Sequence, residues 1–215
     1  APHFQQWYAA QTAAGHTLAD LPKIEWVFRV GADRAFPLFM ALHVAVKVCG
    51  EDRIKSNEAV IIRPSMVTVC AYCPGDTRAH DRFILVKEYR TSVMNEQGFV
   101  FELPGGSSVQ PGGDPIAVAR DELEEETGIR LARERFRMLG QRQIAATMIA
   151  NQALLLVARL EPAEMDTIVA RQGTMYGNSA ETERTSLYVF TRQQIMEGRV
   201  VDYATLGQIS LVGDN

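Results

Sequence analysis

The stretch that decides the fold is DPIAVARDELEEETG, residues 114–128, which follows the glycine-rich run ELPGGSSVQPGG, residues 102–113. Asp114 is a good N-cap, and the proline after it suits the first position of a helix. Gly128 is a natural residue just beyond a helix end. The pattern therefore predicts a helix over residues 116–127 that is entered from a glycine-rich loop.

The last turns of this predicted helix are strongly acidic, with carboxylates at Asp121, Glu122, Glu124, Glu125 and Glu126. Each faces the negative end of the helix dipole at a cost of about 0.3–1 kcal/mol, and like charges four residues apart add roughly 0.2–0.5 kcal/mol per pair. Glu122, Glu125 and Glu126 share one helical face, and three carboxylates suit Mg²⁺ or Mn²⁺. A solvated acidic helix is the simpler interpretation of such a charge run. The glycine-rich loop in front of the helix favours the cation site.

The same stretch resembles a Nudix box, whose pattern is G-x5-E-x7-R-E-U-x-E-E-x-G-U with U aliphatic. Its second half is matched residue by residue at Glu122, Leu123, Glu125, Glu126, Gly128 and Ile129. The resemblance is therefore carried by the acidic half of the motif.

The first half of the box departs from the pattern. The arginine position holds Asp121, the box glutamate position holds Gly113, and the first glycine falls on Ser107, or on Gly106 with one extra loop residue. The family arginine orients the glutamates, and Arg120 projects about 100° further around the helix, so it is a poor substitute. Loss of such a partner typically costs about 10–100-fold in metal affinity or activity, so weak metal binding and slow chemistry are expected.

The resemblance extends beyond the box. VKEYR at residues 86–90, ELPGG at residues 102–106 and GNSAETERTSLYVF at residues 177–190 are similar to ADP-ribose pyrophosphatases of the Nudix family. The similarity covers roughly residues 59–212. It implies an α/β fold, a Nudix α/β/α sandwich with a mixed β-sheet, preceded by a β-rich N-terminal extension. The expected domains are residues 1–50 for the extension and residues 51–215 for the Nudix domain, and a homodimer is implied.

The resemblance also implies roles for individual residues. Glu125 and Glu126 are implied as ligands of Mg²⁺ or Mn²⁺, with Glu122 as a third ligand or as a base toward metal-bound water. A backbone carbonyl at Gly105 or Gly106 would complete the metal site.

A polar loop that precedes a predicted strand holds two further candidates, Glu181 and Glu183. In the ADP-ribose pyrophosphatase group, a loop glutamate at this place acts as the catalytic base or as an extra metal ligand. Glu183 is the preferred candidate for that role, with Glu181 beside it. Two solvated loop acids are an equally open interpretation.

Four residues around the glycine-rich loop are candidate substrate contacts. Lys87 and Arg90 of VKEYR precede the loop and could reach a substrate phosphate, although structural pairing is an even alternative for Arg90. Glu102 and Gly105 belong to ELPGG and are implied as substrate contacts by the resemblance.

Other elements follow from alternation, turn residues and caps. Strands are predicted at residues 26–30, 42–48, 59–62, 66–72, 83–88, 99–103, 136–144, 153–160 and 185–190, and further helices at residues 162–171, 192–197 and 203–209. Arg133, Arg135 and Arg137 alternate along the chain, which would place three guanidinium groups on one strand face. Such a row could bind a phosphate backbone, while an exposed strand face is the simpler interpretation.

Composition limits the remaining possibilities. The chain has 215 residues, 47% of them hydrophobic, and a net charge of −4, which gives no global electrostatic argument for nucleic-acid binding. The longest apolar stretch, residues 35–48, falls far short of the roughly 20 residues that a membrane span needs, so a soluble protein is expected. Cys70 and Cys73 face opposite sides of a predicted strand, and with Cys49 they are expected to be buried or half-buried free thiols.

The implied reaction is hydrolysis of a phosphoric anhydride bond. The degenerate box is similar to Nudix proteins of kinetoplastid mitochondria that remove pyrophosphate from 5′-triphosphorylated mRNA, which implies RNA 5′ ends as substrate, a pentatricopeptide-repeat RNA-binding protein as partner and the mitochondrial matrix as location. The alternatives are a pyrophosphatase for ADP-ribose or related nucleotides, with a cytoplasmic location also open, and a catalytically impaired subunit that only binds nucleotides or RNA ends.

Overall fold

The computed structural model describes residues 1–107, 113–177, 184–198 and 200–213. The helices are α1 (Pro2–Ala13), α2 (Pro115–Thr127), α3 (Pro162–Val169), α4 (Arg192–Gly198) and α5 (Tyr203–Ser210). The strands are β1 (Thr17–Leu18), β2 (Lys23–Val30), β3 (Phe36–Lys47), β4 (Ile54–Ile62), β5 (Met66–Cys73), β6 (Arg82–Tyr89), β7 (Phe99–Glu102), β8 (Gly105–Ser107), β9 (Phe136–Gln143), β10 (Ile149–Ala150), β11 (Gln152–Arg159), β12 (Met175–Tyr176) and β13 (Thr185–Thr191).

The chain forms two compact units, of which the first contains Ala1–Met66 and Arg142–Ala153, and the second begins at Val67. The boundary expected at residue 50 lies inside the first unit, in the turn between β3 and β4.

The first unit is built on a five-stranded sheet. Strands β1, β2 and β4 pair antiparallel with β3, and β10 pairs parallel with β4. Leu42, Val44 and Ile62 are buried on one face of this sheet, where Phe4 and Trp7 of α1 pack against them. The β-rich extension that the sequence predicts is therefore present, and one helix packs against its sheet.

Two features of the first unit differ from the sequence-based expectation. Helix α1 was not predicted, because its N-cap is Ala1 and no side chain caps it, so the usual start signal is missing. Strand β3 begins before Pro37, although proline normally interrupts a strand. The register with β2 shifts between Phe28 and Arg29, and Arg29 is the partner of Pro37, so the proline occupies an irregularity in the ladder.

The second unit is a sandwich of helices around an eight-stranded sheet. The strand order is β12-β13-β6-β5-β11-β9, with β7 paired to β6 and β8 paired to β5. Helices α2 and α3 bury Leu123 and Met165 on one face of the sheet, and α4 and α5 bury Ile195 and Ile209 on the other. The predicted α/β class, with helices on both faces of the sheet, is confirmed.

Strand β5 shows why both faces are covered, because its consecutive side chains point in opposite directions. Cys70 is buried on the α4–α5 side, and Cys73 is buried on the α2–α3 side. Both are buried free thiols, as predicted, whereas Cys49 is a free thiol that is exposed, so the prediction of burial is wrong for Cys49. In the part of the chain that the structure describes, no helix has the length and apolar character of a membrane span.

Candidate active site

Helix α2 begins and ends at the residues that the sequence indicates. The Asp114 side chain accepts a hydrogen bond from the backbone N–H of Ile116, and Gly128 ends the helix in the left-handed region at φ 65°. A side chain at Gly128 would also collide with its neighbours, since an added Cβ would lie 2.6 Å from Tyr176 and 2.7 Å from Arg171. The glycine is therefore required by conformation and by packing.

Arginines neutralise part of the acidic helix end. Arg130 donates from Nε to both carboxylate oxygens of Glu124, at 3.0 and 2.9 Å. Arg171 donates from Nη2 to the carbonyl oxygen of Thr127 at 3.0 Å, where a cation opposes the negative end of the helix dipole. This part of the acidic run is thus balanced by side chains of the protein itself.

Two other glutamates of α2 lie against the glycine-rich loop. The backbone N–H of Gly105 donates to Oε2 of Glu126 at 3.0 Å. The carboxylate of Glu122 lies so close to Gly106 that a Cβ added to this glycine would overlap Oε1. A Cβ at Gly105 would likewise overlap the carbonyl oxygen of Val67. Gly105 is therefore needed for the backbone to approach the sheet, and the absence of a side chain at Gly106 leaves room for the Glu122 carboxylate in its observed position.

Charged residues of β6 and β7 border this pair of glutamates. Nη2 of Arg90 lies 2.8 Å from Glu88 and 2.8 Å from Glu102. Glu102 pairs with Val86 across the two strands, so Glu102, Val86 and Glu88 face the same side of the sheet. The site therefore combines four carboxylates with one guanidinium.

Burial dominates the electrostatics of Glu126. Its removal from water, and next the negative charge of Glu122, raise the pKa of Glu126 to about 9. The Gly105 N–H acts in the opposite direction, Glu88 adds to the rise, and Arg90 acts against it. Without a further cation, Glu126 is protonated near neutral pH, and a bound cation would favour its charged form.

The oxygen atoms at this site fit a hard divalent cation, but only two carboxylates of α2 lie there. Glu122 and Glu126 present carboxylate oxygens beside the Gly106 backbone, and Mg²⁺ prefers such oxygens and is often bound through only one or two carboxylates. Among the described residues no three His, Cys, Asp or Glu side chains are arranged to hold a metal ion. Glu125, which the resemblance implies as a metal ligand together with Glu126, is exposed. The structure thus assembles two of the three expected carboxylates.

The fold is similar to that of a protein whose structure has been solved. No family profile and no curated protein sequence matches this chain. A solved structure described as the crystal structure of ADP compounds hydrolase is similar to it, with a TM-score of 0.52 and 19% identity over 91% of this chain and 94% of that one. The fold is of the Nudix type. At this identity the similarity concerns the fold alone.

The remaining predicted site residues are distributed unevenly around this Nudix-type frame. Lys87 points away from the glutamates, toward the other face of the sheet, where its Nζ lies 4.7 Å from the ring centroid of Phe99. Asp121 and Gly113, which replace the box arginine and glutamate, are both exposed. Glu181 and Glu183 lie outside the described residues, so their predicted role as a base stays a prediction.

The predicted row of arginines on a strand face is wrong. Arg133 and Arg135 lie in a single 3₁₀ turn, and only Arg137 belongs to β9. Arg133 forms an ion pair with Asp114 at the start of α2, and Arg135 binds Glu164. Alternating charges suggested a strand, whereas both arginines pair with acids that are distant in the sequence and lie at or in two helices.

Glu88 is the residue of the site that sequence reasoning missed. It is a buried acidic residue in a strand whose other buried residues are apolar, which is unusual for a core position. Its signal in the sequence is the spacing Glu88, Arg90, which places opposite charges on one face of a strand. The partner on β7, Glu102, was singled out for substrate binding and not for this pairing.

Proposed function

We propose that this protein hydrolyses a phosphoric anhydride bond in a nucleoside diphosphate compound, with Mg²⁺ or Mn²⁺ held by Glu122 and Glu126. The observation that carries the proposal is the meeting of these two carboxylates with the Gly105–Gly106 backbone, in a Nudix-type fold. The similar solved structure is described as an ADP compounds hydrolase, which supports the choice of substrate class.

Each residue of the site has a defined task in this reaction. Glu122 and Glu126 would hold the cation, with a carbonyl of Gly105 or Gly106 as a further oxygen donor. Bound there, the cation would neutralise pyrophosphate oxygens and lower the pKa of an attacking water. Arg90, which pairs with Glu102, would contact the substrate phosphates.

The chemical step is a displacement at phosphorus. The water oxygen forms a bond to one phosphorus atom while the bond from that atom to the bridging oxygen breaks, which leaves two phosphate products. A carboxylate must accept the proton of the water, and Glu122 or Glu183 is proposed for this task. With either residue as the base, the hydrolysis requires no oxidant and no co-substrate other than water.

RNA 5′ ends are a second candidate substrate, which is implied by the resemblance of the degenerate box to Nudix proteins that act on 5′-triphosphorylated mRNA. In this version the protein removes pyrophosphate from 5′-triphosphorylated mitochondrial mRNA in the matrix. The net charge of −4 offers little attraction for RNA, so a pentatricopeptide-repeat RNA-binding protein would supply affinity for the transcript.

One assay separates these functions. The protein is incubated with Mg²⁺ and either ADP-ribose or 5′-triphosphorylated RNA, and release of AMP or pyrophosphate is followed. We expect AMP from ADP-ribose, and we expect Glu126→Gln to abolish it. Pyrophosphate from RNA alone would favour the second candidate. Tight nucleotide binding without release from either substrate would overturn both and support a binding subunit.

A homodimer is also part of the proposal. Edge strand β2 exposes Ile24, Trp26 and Phe28, at 61%, 53% and 39% of their surfaces. Antiparallel pairing of β2 with the same strand of a second copy about Val27 would place Glu25 opposite Arg29, so the charges are complementary. Light scattering should show a dimer mass that Trp26→Lys reduces to the monomer mass, and a wild-type monomer would contradict this.

A further inference from the structure

The buried side chain of Glu88 has no task in the proposed hydrolysis itself. Glu88 is 6% exposed, and its Oε2 lies 2.8 Å from Nη2 of Arg90. The same nitrogen lies 2.8 Å from Oε2 of Glu102, and Nε of Arg90 also donates to this oxygen at 3.1 Å. One guanidinium therefore links carboxylates on two neighbouring strands.

This link lies at the strand end that leads into the glycine-rich loop. Three residues after Glu102 the chain reaches Gly105, whose N–H donates to Glu126. A buried carboxylate is strongly unfavourable unless it is paired, so Glu88 and Arg90 hold each other in place. Fixing Arg90 fixes Glu102, and with it the start of the segment that meets Glu126.

Among the described residues, helix α2 and the segment after it do not supply a positively charged side chain that borders Glu126. Arg120 donates from Nε to the carbonyl oxygen of Leu131 at 3.2 Å, and Asp121 is exposed. Arg130 is engaged by Glu124. The cation that borders Glu126 is instead Arg90, the residue directly after β6.

We propose that Glu88 is a positioning residue for the cation site: its carboxylate holds Arg90 against Glu102, and this bridge sets the position of the Gly105 N–H and of Glu126. The inference rests on the proposed function, in which Glu122 and Glu126 hold the cation. It assigns Arg90 a structural task at the site, beside its task toward substrate.

The test is Mn²⁺ binding by the full chain without nucleotide, followed through the electron paramagnetic resonance signal of free Mn²⁺. Glu88→Gln should raise the Kd for Mn²⁺ about tenfold, a typical effect of losing a residue that orients a ligand. Arg90→Lys should do the same, because lysine keeps the charge but cannot bridge two carboxylates with a planar fork. The matched control is Glu124→Gln, which removes the same charge from an ion pair at the surface and should leave the Kd within about twofold.

The double variant shows whether Glu88 acts through Arg90. If it does, Glu88→Gln should add less than about a twofold change to Arg90→Lys. Thermal unfolding establishes that each variant is folded, and if Glu88→Gln does not fold, the half-exposed Arg90 still allows Arg90→Lys to decide.

Several results would overturn the inference. If only the net charge mattered, Arg90→Lys would bind Mn²⁺ like the wild type, and Glu124→Gln would weaken binding as much as Glu88→Gln. Unchanged binding by Glu88→Gln, with binding by the wild type intact, would remove this inference alone. A wild-type protein that binds no Mn²⁺ would overturn the proposed function and this inference with it.

Discussion

The two sides of α2 carry the same chemical group in opposite surroundings. Glu124 lies at the surface, where Arg130 balances its charge, and that guanidinium favours the charged form and lowers the pKa of Glu124. Glu126 lies two residues further on, against the glycine-rich loop, where burial raises its pKa to about 9. Their sequence context is nearly identical. The difference teaches that an acidic run need not act as a unit, because each carboxylate takes its properties from what it faces.

A side chain added between the glycine-rich loop and Glu122 should have the largest effect on hydrolysis. Gly106→Ala places a Cβ where the Glu122 carboxylate lies, so the carboxylate or the loop must shift. We expect at least a tenfold loss of ADP-ribose hydrolysis, in line with disturbance of metal-site geometry. The control is Gly207→Ala in α5, where an added Cβ meets nothing within 4 Å. Equal activity of the two variants would show that the function of Glu122 does not require a glycine at position 106.

The second-largest effect should be on the pH dependence of stability near neutral pH, which should depend on Glu126 and not on Glu124. In metal-free protein the pKa of Glu126 is raised from its ordinary value of 4.5 to about 9, so between these values the folded state binds a proton that the unfolded state releases. Stability from this group is therefore full below about pH 4.5 and is lost as the pH rises toward 9. Thermal unfolding in chelator should show a Tm that falls over this range, and Glu126→Gln should flatten the fall. A wild-type slope equal to that of Glu126→Gln would contradict the burial of a protonated carboxyl.

Removing the surface pair should have the smallest effect. Arg130 and Glu124 are both well exposed, and water and salt screen such pairs. Arg130→Ala should change the Tm by less than about 3 °C and should leave hydrolysis unchanged. A large loss of activity would mean that the two sides of α2 are coupled after all.

Local chemistry explains what the sequence could predict. The bounds of α2 follow from Asp114 and Gly128, whose conformational preferences act within a few residues. The close approach of Gly106 to Glu122 agrees with the prediction that the glycine-rich loop serves the acidic helix. Start and stop signals also predicted many of the strands and helices, whereas the placement of helices on both faces of the sheet was implied by the resemblance to the Nudix family.

Contacts between distant segments explain what the sequence could not predict. The link of Glu88 to Glu102 through Arg90 exists only once β6 and β7 pair in their observed register. The exposure of Glu125 could not be predicted either. Helical spacing places Glu125 on the same face of α2 as Glu122 and Glu126, but it does not determine how much of that face the glycine-rich loop covers. Arg135 was misassigned to a strand because its partner, Glu164, lies on α3.

The most direct test of the central claim is the effect of millimolar Mg²⁺ on thermal unfolding, compared between wild type, Glu126→Gln and Glu124→Gln. A ligand that binds only the folded state raises the Tm. If a cation is held on the buried side of α2, the Tm of the wild type and of Glu124→Gln should rise by several degrees, and that of Glu126→Gln should stay constant. An unchanged wild-type Tm, or an equal rise in Glu126→Gln, would contradict a cation site at Glu122 and Glu126.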